Sequence, residues 1–167
     1  MIFETERCFI KLIETDDKTD LLRMCDDSNV WQYLGGNGTA EYYRKNIEYI
    51  GKIDIGDRWV VRRKTDNLFL GYISLDSHYD VEDIQVTYIF LSEHWGKGYA
   101  SEVVNTLIQY VFNEKKLNIL LAETQSSNLA SRRLLGKLGF YEVKNLVRFN
   151  AEQTLYAIEK DCGSSPQ

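Results

Sequence analysis

The sequence is poor in the residues that break or staple a fold. Proline occurs once, at Pro166, so no proline kink or X-Pro turn interrupts the chain before it. Cysteine occurs three times, at Cys8, Cys25 and Cys162, far apart and with no C-x-x-C pair; this excludes a disulfide framework and a zinc knuckle and suits reduced thiols in a cytoplasmic protein. The two histidines, His78 and His94, have no clustered partners, which argues against a metal site. No apolar run approaches membrane-spanning length, and Glu4 and Glu6 replace an apolar signal core near the start, so the chain is expected to stay off the membrane. Basic residues are not in excess either. Lys and Arg number 20 against 25 Asp and Glu, a net charge of −5 with a pI near 5.1, which disfavours nucleic-acid binding. The longest basic run, Arg62-Arg63-Lys64, leads into Thr65-Asp66-Asn67 and reads as a solvated hairpin end.

What is present is enough for one core. A chain of 167 residues with 44% hydrophobic content, undivided by any linker, predicts a single domain over residues 1–162. Residues 163–167 are small and polar and read as a fraying tail. Apolar patterning predicts a strand at 8–13, then a helix from about 16 to 25 capped by Thr15 or Asp16. A flexible connection follows over 28–38, including Gly35-Gly36-Asn37-Gly38, and then a helix from 39 to about 53. Strands near 59–63 and 68–77 form a hairpin around residues 65–67. Further strands are expected at 84–91, 119–124, 141–147 and 154–159, the last two joined around Asn150, with helices at about 100–112 and from Asn128 to Leu138. The predicted class is α/β with a mixed sheet of about seven strands flanked by about four helices.

The most informative stretch is Trp95-Gly96-Lys97-Gly98-Tyr99-Ala100. The strand before it alternates Val86, Tyr88 and Phe90 with Gln85, Thr87 and Ile89. The helix after it carries Val103, Val104, Leu107, Ile108, Val111 and Phe112 on one stripe. A Gly-x-Gly turn that enters a helix directly aims free backbone N–H groups at one point beside the positive end of the helix dipole, a place to hold a phosphate. About thirty residues on, Asn128-x-x-Ser131 opens a second helix that closes in Leu138-Gly139-Phe140. Residues three apart share a helix face, so Asn128 and Ser131 look the same way. Gly35-Gly36-x-Gly38 has neither a preceding strand nor a following Gly-Lys-Ser/Thr and is not read as a nucleotide loop.

These motifs resemble the GNAT superfamily of acetyl-CoA-dependent N-acetyltransferases, and within it the RimJ/RimL-type branch. The branch writes the glycine stretch as Tyr-Trp-Gly-Lys-Gly-Tyr-Ala, from which this chain departs only at His94. Tyr88, Asn128, Ser131 and Leu138-Gly139-Phe140 agree as well. The resemblance implies a strongly twisted sheet whose central strands splay apart into a cleft for acetyl-CoA. It implies that the backbone of Gly96, Lys97, Gly98, Tyr99, Ala100 and Ser101 holds the CoA pyrophosphate, that Phe90 and Leu91 expose main chain to the pantetheine arm, and that Asn128 meets that arm. Arg132 and Arg133 either reach CoA phosphates or are exposed helix charge.

The implied chemistry is attack of an uncharged amine on a thioester, with a stabilised oxyanion and a leaving thiolate that takes up a proton. Many relatives place a Tyr four residues after the Ser131 position as the acid; here that residue is Leu135, and Ser131 becomes the candidate catalytic residue. Where the family often has a Glu base, this chain has Gln85, which accepts no proton usefully but can orient a water. Glu123 is a fallback base, with a surface carboxylate the plainer reading. Gln85 and Tyr88, with Trp31 and Tyr33, are expected to border the amine acceptor, and Tyr42 and Tyr43 add aromatic surface there, at least two of these aromatics serving the core instead. The acceptor is either a protein N-terminus or a small molecule. A non-catalytic acyl-CoA-binding module and, more remotely, a nucleotide-binding domain remain alternatives. An edge among the closing strands offers a route to a homodimer.

Overall fold

The computed structural model describes residues 2–50 and 57–161. One eight-stranded mixed sheet runs through it in the order β1-β2-β3-β4-β5-β6-β8-β7. Its strands are β1 (Ile2–Glu4), β2 (Cys8–Leu12), β3 (Arg58–Arg63), β4 (Phe69–Ser77), β5 (Ile84–Phe90), β6 (Ile119–Gln125), β7 (Tyr141–Arg148) and β8 (Ala151–Glu159). All neighbours are antiparallel except β5 and β6. Five α-helices cover it: α1 (Lys18–Asp26), α2 (Ser28–Trp31), α3 (Gly36–Ile47), α4 (Tyr99–Asn113) and α5 (Leu129–Lys137). No helix among the described residues is long and apolar enough to cross a membrane.

The period-two pattern of the strands sorts their side chains between two cores. On one face Ile10, Val61, Ile73, Val86, Phe90 and Leu120 pack against the apolar stripe of α4 and against Leu135 of α5. On the other, Val60, Phe69, Tyr72, Ile89 and Leu91 pack against α1, α2 and α3 through Leu21, Met24, Trp31 and Ala40. The alternation read along residues 84–91 is therefore the alternation between the two cores.

Four expectations change. The first helix is not capped by Thr15 or Asp16: residues 15–17 form a 3-10 turn with a capping box between Glu14 and Asp17, and α1 starts at Lys18. The sheet gains β1, three residues too short to carry a pattern, which pairs with β2 and wedges Phe3 against Tyr110 at 4.5 Å and Trp59 at 5.7 Å. Residues 28–38 are not a plain connection. Asp27 caps α2 by accepting from Asn29 N–H at 3.2 Å, and the Trp31 indole donates to Met24 O at 3.0 Å. Gly35, at φ 91°, starts α3 at Gly36. Helix α3 ends at Ile47 and gives way to a turn at residues 48–49, short of the expected end near residue 53; residues 51–53 and the tail lie outside the described residues.

Candidate active site

Strands β5 and β6 share one register pair, Gln85 with Leu121, whereas β4 and β5 stay in register from Gly71 opposite Phe90 to Ser77 opposite Ile84. Beyond Gln85 the parallel strands part, and β5 keeps an open edge. Leu91 N–H donates to Leu70 O at 3.0 Å on the β4 side, so the pleat turns the peptide groups of Phe90 to the opposite edge. There Phe90 O accepts from the Trp95 indole N–H at 2.8 Å. The strand is held at this point by Gly71. A Cβ there would lie 2.3 Å from Ile89 O and 2.8 Å from Phe90 Cα, so only glycine lets β4 approach so closely.

The glycine turn follows at once. Gly96 and Gly98 take left-handed φ values of 72° and 82°, and Gly98 is the residue before α4, whose first bond runs from Glu102 N–H to Gly98 O at 3.1 Å. Among the described residues, none of the amide N–H groups from 96 to 101 has an acceptor, and residues 95–98 are exposed. Lys97 folds back, its ammonium donating to Glu93 O at 2.8 Å. Arg7, from the far end of the chain, braces the turn. Its backbone N–H and Nε donate to the two carboxylate oxygens of Glu102 at 2.8 and 2.7 Å, one guanidinium nitrogen donates to Lys97 O at 3.0 Å, and the group lies 4.6 Å over the Tyr99 ring. Burial alone would raise the Glu102 carboxyl, and the Thr5 hydroxyl together with these Arg7 donors outweighs it and holds it below its ordinary value.

Across the opening, Asn128 does cap α5: its side chain accepts from Ser131 N–H at 3.1 Å. The Ser131 hydroxyl lies 2.6 Å from the Tyr88 hydroxyl. Burial pushes the Tyr88 phenol up to about 12, against the lowering pull of Ser131. Arg132 is not free helix charge. It donates to Tyr156 Oη at 2.9 Å, to Ser126 O at 3.2 Å and to Glu142 at 2.7 Å, tying α5 to β8 and β7.

A matching domain family now joins this geometry: the Acetyltransferase (GNAT) domain matches residues 7–141. The chain belongs to the GNAT acetyltransferases. Among solved structures similar to it, a GNAT-family acetyltransferase from Bacillus anthracis superposes with a TM-score of 0.81 at 25% identity, covering 95% of this chain and 98% of that one. A ribosomal-protein-S5-alanine acetyltransferase from Vibrio fischeri gives 0.72 at 21% identity over 99% and 100% of the two chains. Spermidine N-acetyltransferase from Vibrio cholerae, in complex with CoA and spermine, gives 0.76 at 20% identity over 91% and 95%. These last two show the shared fold.

The GNAT fold uses acetyl-CoA, and the turn at 96–101 fits its diphosphate: unengaged N–H donors, left-handed glycines and a helix N-terminus converge there. On the other face of the splay, Gln85 is 7% exposed. Trp31, 1% exposed, belongs to the core, and Tyr43 packs against that core; Tyr33 is half-buried and Tyr42 exposed. Glu123 is not a surface carboxylate. Its side chain is 7% exposed and receives Arg148 Nε at 2.9 Å and His78 Nε2 at 3.1 Å. The Asp80 N–H donates to His78 Nδ1 at 3.2 Å, which assigns the ring proton to Nε2 and makes His78 a donor to Glu123. Arg7, Gly71 and the partners of Glu123, namely His78, Asp80 and Arg148, are the parts that sequence reasoning left out of the site. A glycine inside a strand pattern was the one available signal, for Gly71.

Proposed function

We propose that this GNAT acetyltransferase moves the acetyl group of acetyl-CoA to the α-amine of a protein N-terminus by direct transfer in a ternary complex. Acetyl-CoA supplies an activated acyl group as a thioester. The protein's part is to seat the diphosphate on the N–H groups of residues 96–101, lay the pantetheine arm along the open edge of β5 at Phe90 beside Asn128, and present Ser131 to the sulfur as acid; Leu91, whose N–H and C=O are bonded to Leu70 O and His94 N–H, adds no free main chain there.

The observation that carries the choice of acceptor is the state of the carboxylates on the other face of the splay. Glu123 is engaged by Arg148 and His78, and Asp76 by Arg58 and Ser74. Gln85 holds the place where relatives often have a base. With these carboxylates committed, the acceptor's own pKa decides the rate. An α-amine with a pKa of about 8 is partly neutral at neutral pH, whereas deprotonating a lysine at about 10.4 costs roughly 4 to 5 kcal/mol. A small primary amine is the second reading, favoured by the fold shared with the spermidine enzyme and by the acidic balance of the chain.

The test follows thiol release from acetyl-CoA with three acceptors: peptides bearing a free N-terminus, the same peptides blocked at the N-terminus but carrying lysine, and spermidine. Turnover with the free N-terminus alone, rising with pH through the α-amine range, is the expected result. Turnover confined to spermidine or to lysine rejects the preferred acceptor. Gly98→Trp, which puts a side chain on a left-handed φ beside Arg7, is expected to abolish CoA binding in calorimetry, with circular dichroism and a thermal melt on the same preparation separating loss of the site from loss of the fold.

A further inference from the structure

We propose that Tyr88 is a positioning residue for Ser131: its phenol donates to Ser131 Oγ and so leaves the serine's own O–H free to point into the opening between β5 and β6, at the sulfur of bound CoA. The inference rests on reading that opening as the acyl-CoA site.

Two hydroxyls 2.6 Å apart share one proton between them, and whichever donates leaves the other's proton for a third partner. The phenol is the more acidic of the two and the better donor. It stays protonated through the working pH range, because burial holds its pKa up at about 12. Ser131 has no freedom to turn aside. Its N–H is fixed on Asn128 Oδ1, the next residue is anchored to Tyr156 and Ser126, and among the described residues its Oγ meets only Tyr88. Tyr88 in turn is packed against the α4-side core and stands opposite Ile73 in the β4 ladder. The result is a hydroxyl whose proton is aimed by its neighbour, in the first turn of α5, where the helix dipole also favours negative charge. When the acetyl C–S bond breaks and its electron pair goes to sulfur, the thiolate accepts that aimed O–H as a hydrogen bond; any proton Ser131 passes to sulfur is replaced by the one the acceptor amine sheds, so Ser131 and Tyr88 both end as neutral hydroxyls. Donation in a chain of this kind polarises the second hydroxyl and strengthens its bond to an anion.

The experiment uses CoA itself as probe and needs no acceptor. The pKa of the bound CoA thiol is read from ultraviolet thiolate absorbance in the intact protein and in Tyr88→Phe, Ser131→Ala and the double variant. Desulfo-CoA affinity and melting temperature serve as checks that the site is intact. Each single variant is expected to raise the bound thiol pKa by about one unit, the scale of one hydrogen bond to a charged group, and the double variant by no more than the larger single shift. A Tyr88→Phe titration that coincides with wild type overturns the proposal. So do shifts that add in the double variant, and so does a shift in Tyr88→Phe without one in Ser131→Ala, since Tyr88 would then act on the sulfur by itself. If wild-type protein binds desulfo-CoA but neither single variant moves the thiol, the positioning role fails while the acyl-CoA site stands. If wild type binds neither form of CoA, the acyl-CoA reading itself fails and takes this inference with it.

Discussion

His94 is 6% exposed beside the carrier turn, and neither ring nitrogen has a hydrogen-bond partner among the described residues. Nε2 does lie 3.2 Å from Glu93 Oε1, at an angle that makes no hydrogen bond. Burial disfavours the charged ring and Glu93 favours it, while Lys97, Arg63 and Arg23 add repulsion; the net effect holds the imidazole below its ordinary value. The unfolded chain therefore takes a proton at a pH where the folded protein does not. The stability tied to this residue is complete above the ordinary histidine pKa and is lost as pH falls from there through the lower folded value. His94→Phe, similar in volume and without nitrogens to leave unpaired, is expected to flatten that loss. Thermal melts between about pH 7.5 and 5.5 should show the wild-type Tm falling further than the variant's. At this scale the sequence was partly legible. The helix start at Asn128-x-x-Ser131 and the Gly-x-Gly turn into α4 follow from local backbone demands and were visible. The braces of Arg7 and Glu123 come from residues far away along the chain and left no local trace.

At the scale of elements, local pattern located the strands and helices wherever an apolar period ran for several residues. It failed where tertiary contacts decide: β1 exists because β2 offers it an edge, and α3 begins among glycines because α1, α2 and the sheet give it something to bury against. The open edge of β5 has its own local requirement in Gly71. Adding one methyl there drives it into Ile89 O, so Gly71→Ala should destabilise the protein by roughly 1 to 3 kcal/mol, the range for overpacking a tight site. It should also weaken CoA binding, because the displaced strand is the one that presents Phe90. Urea titration and calorimetry on the same preparation check both effects. Retained stability with lost CoA affinity would assign the glycine to the ligand rather than to the ladder.

For the whole molecule, the single register pair between Gln85 and Leu121 makes the sheet two half-sheets, β1–β5 and β6–β8. The Glu123 cluster is a clasp across that seam. His78 and Asp80 come from the loop after β4, Glu123 from β6 and Arg148 from the end of β7, with Arg148 also 4.6 Å over the Tyr79 ring. Arg148→Met leaves a largely buried carboxylate with His78 as its remaining partner, and is expected to lose about 3 kcal/mol, the low end for breaking a buried pair. Hydrogen exchange should quicken in residues 78–83 and at the turn around 149–150, and Arg148→Lys should recover only part of the loss, since one ammonium replaces a fork. An unchanged denaturation midpoint would remove the clasp from the account of the fold.

The Arg7 brace joins the first strands to the carrier turn through Glu102, Lys97 O and Tyr99, so the free energies of these two regions are not independent. A ligand that binds the turn better in its braced form shifts the opening equilibrium of the N-terminal ribbon toward closed, and opening the ribbon weakens that ligand by the same factor. With CoA seated on the turn as proposed, the N-terminal ribbon would be a distant control on its affinity, and a fusion or truncation placed there would act on the site without touching any residue of its motif.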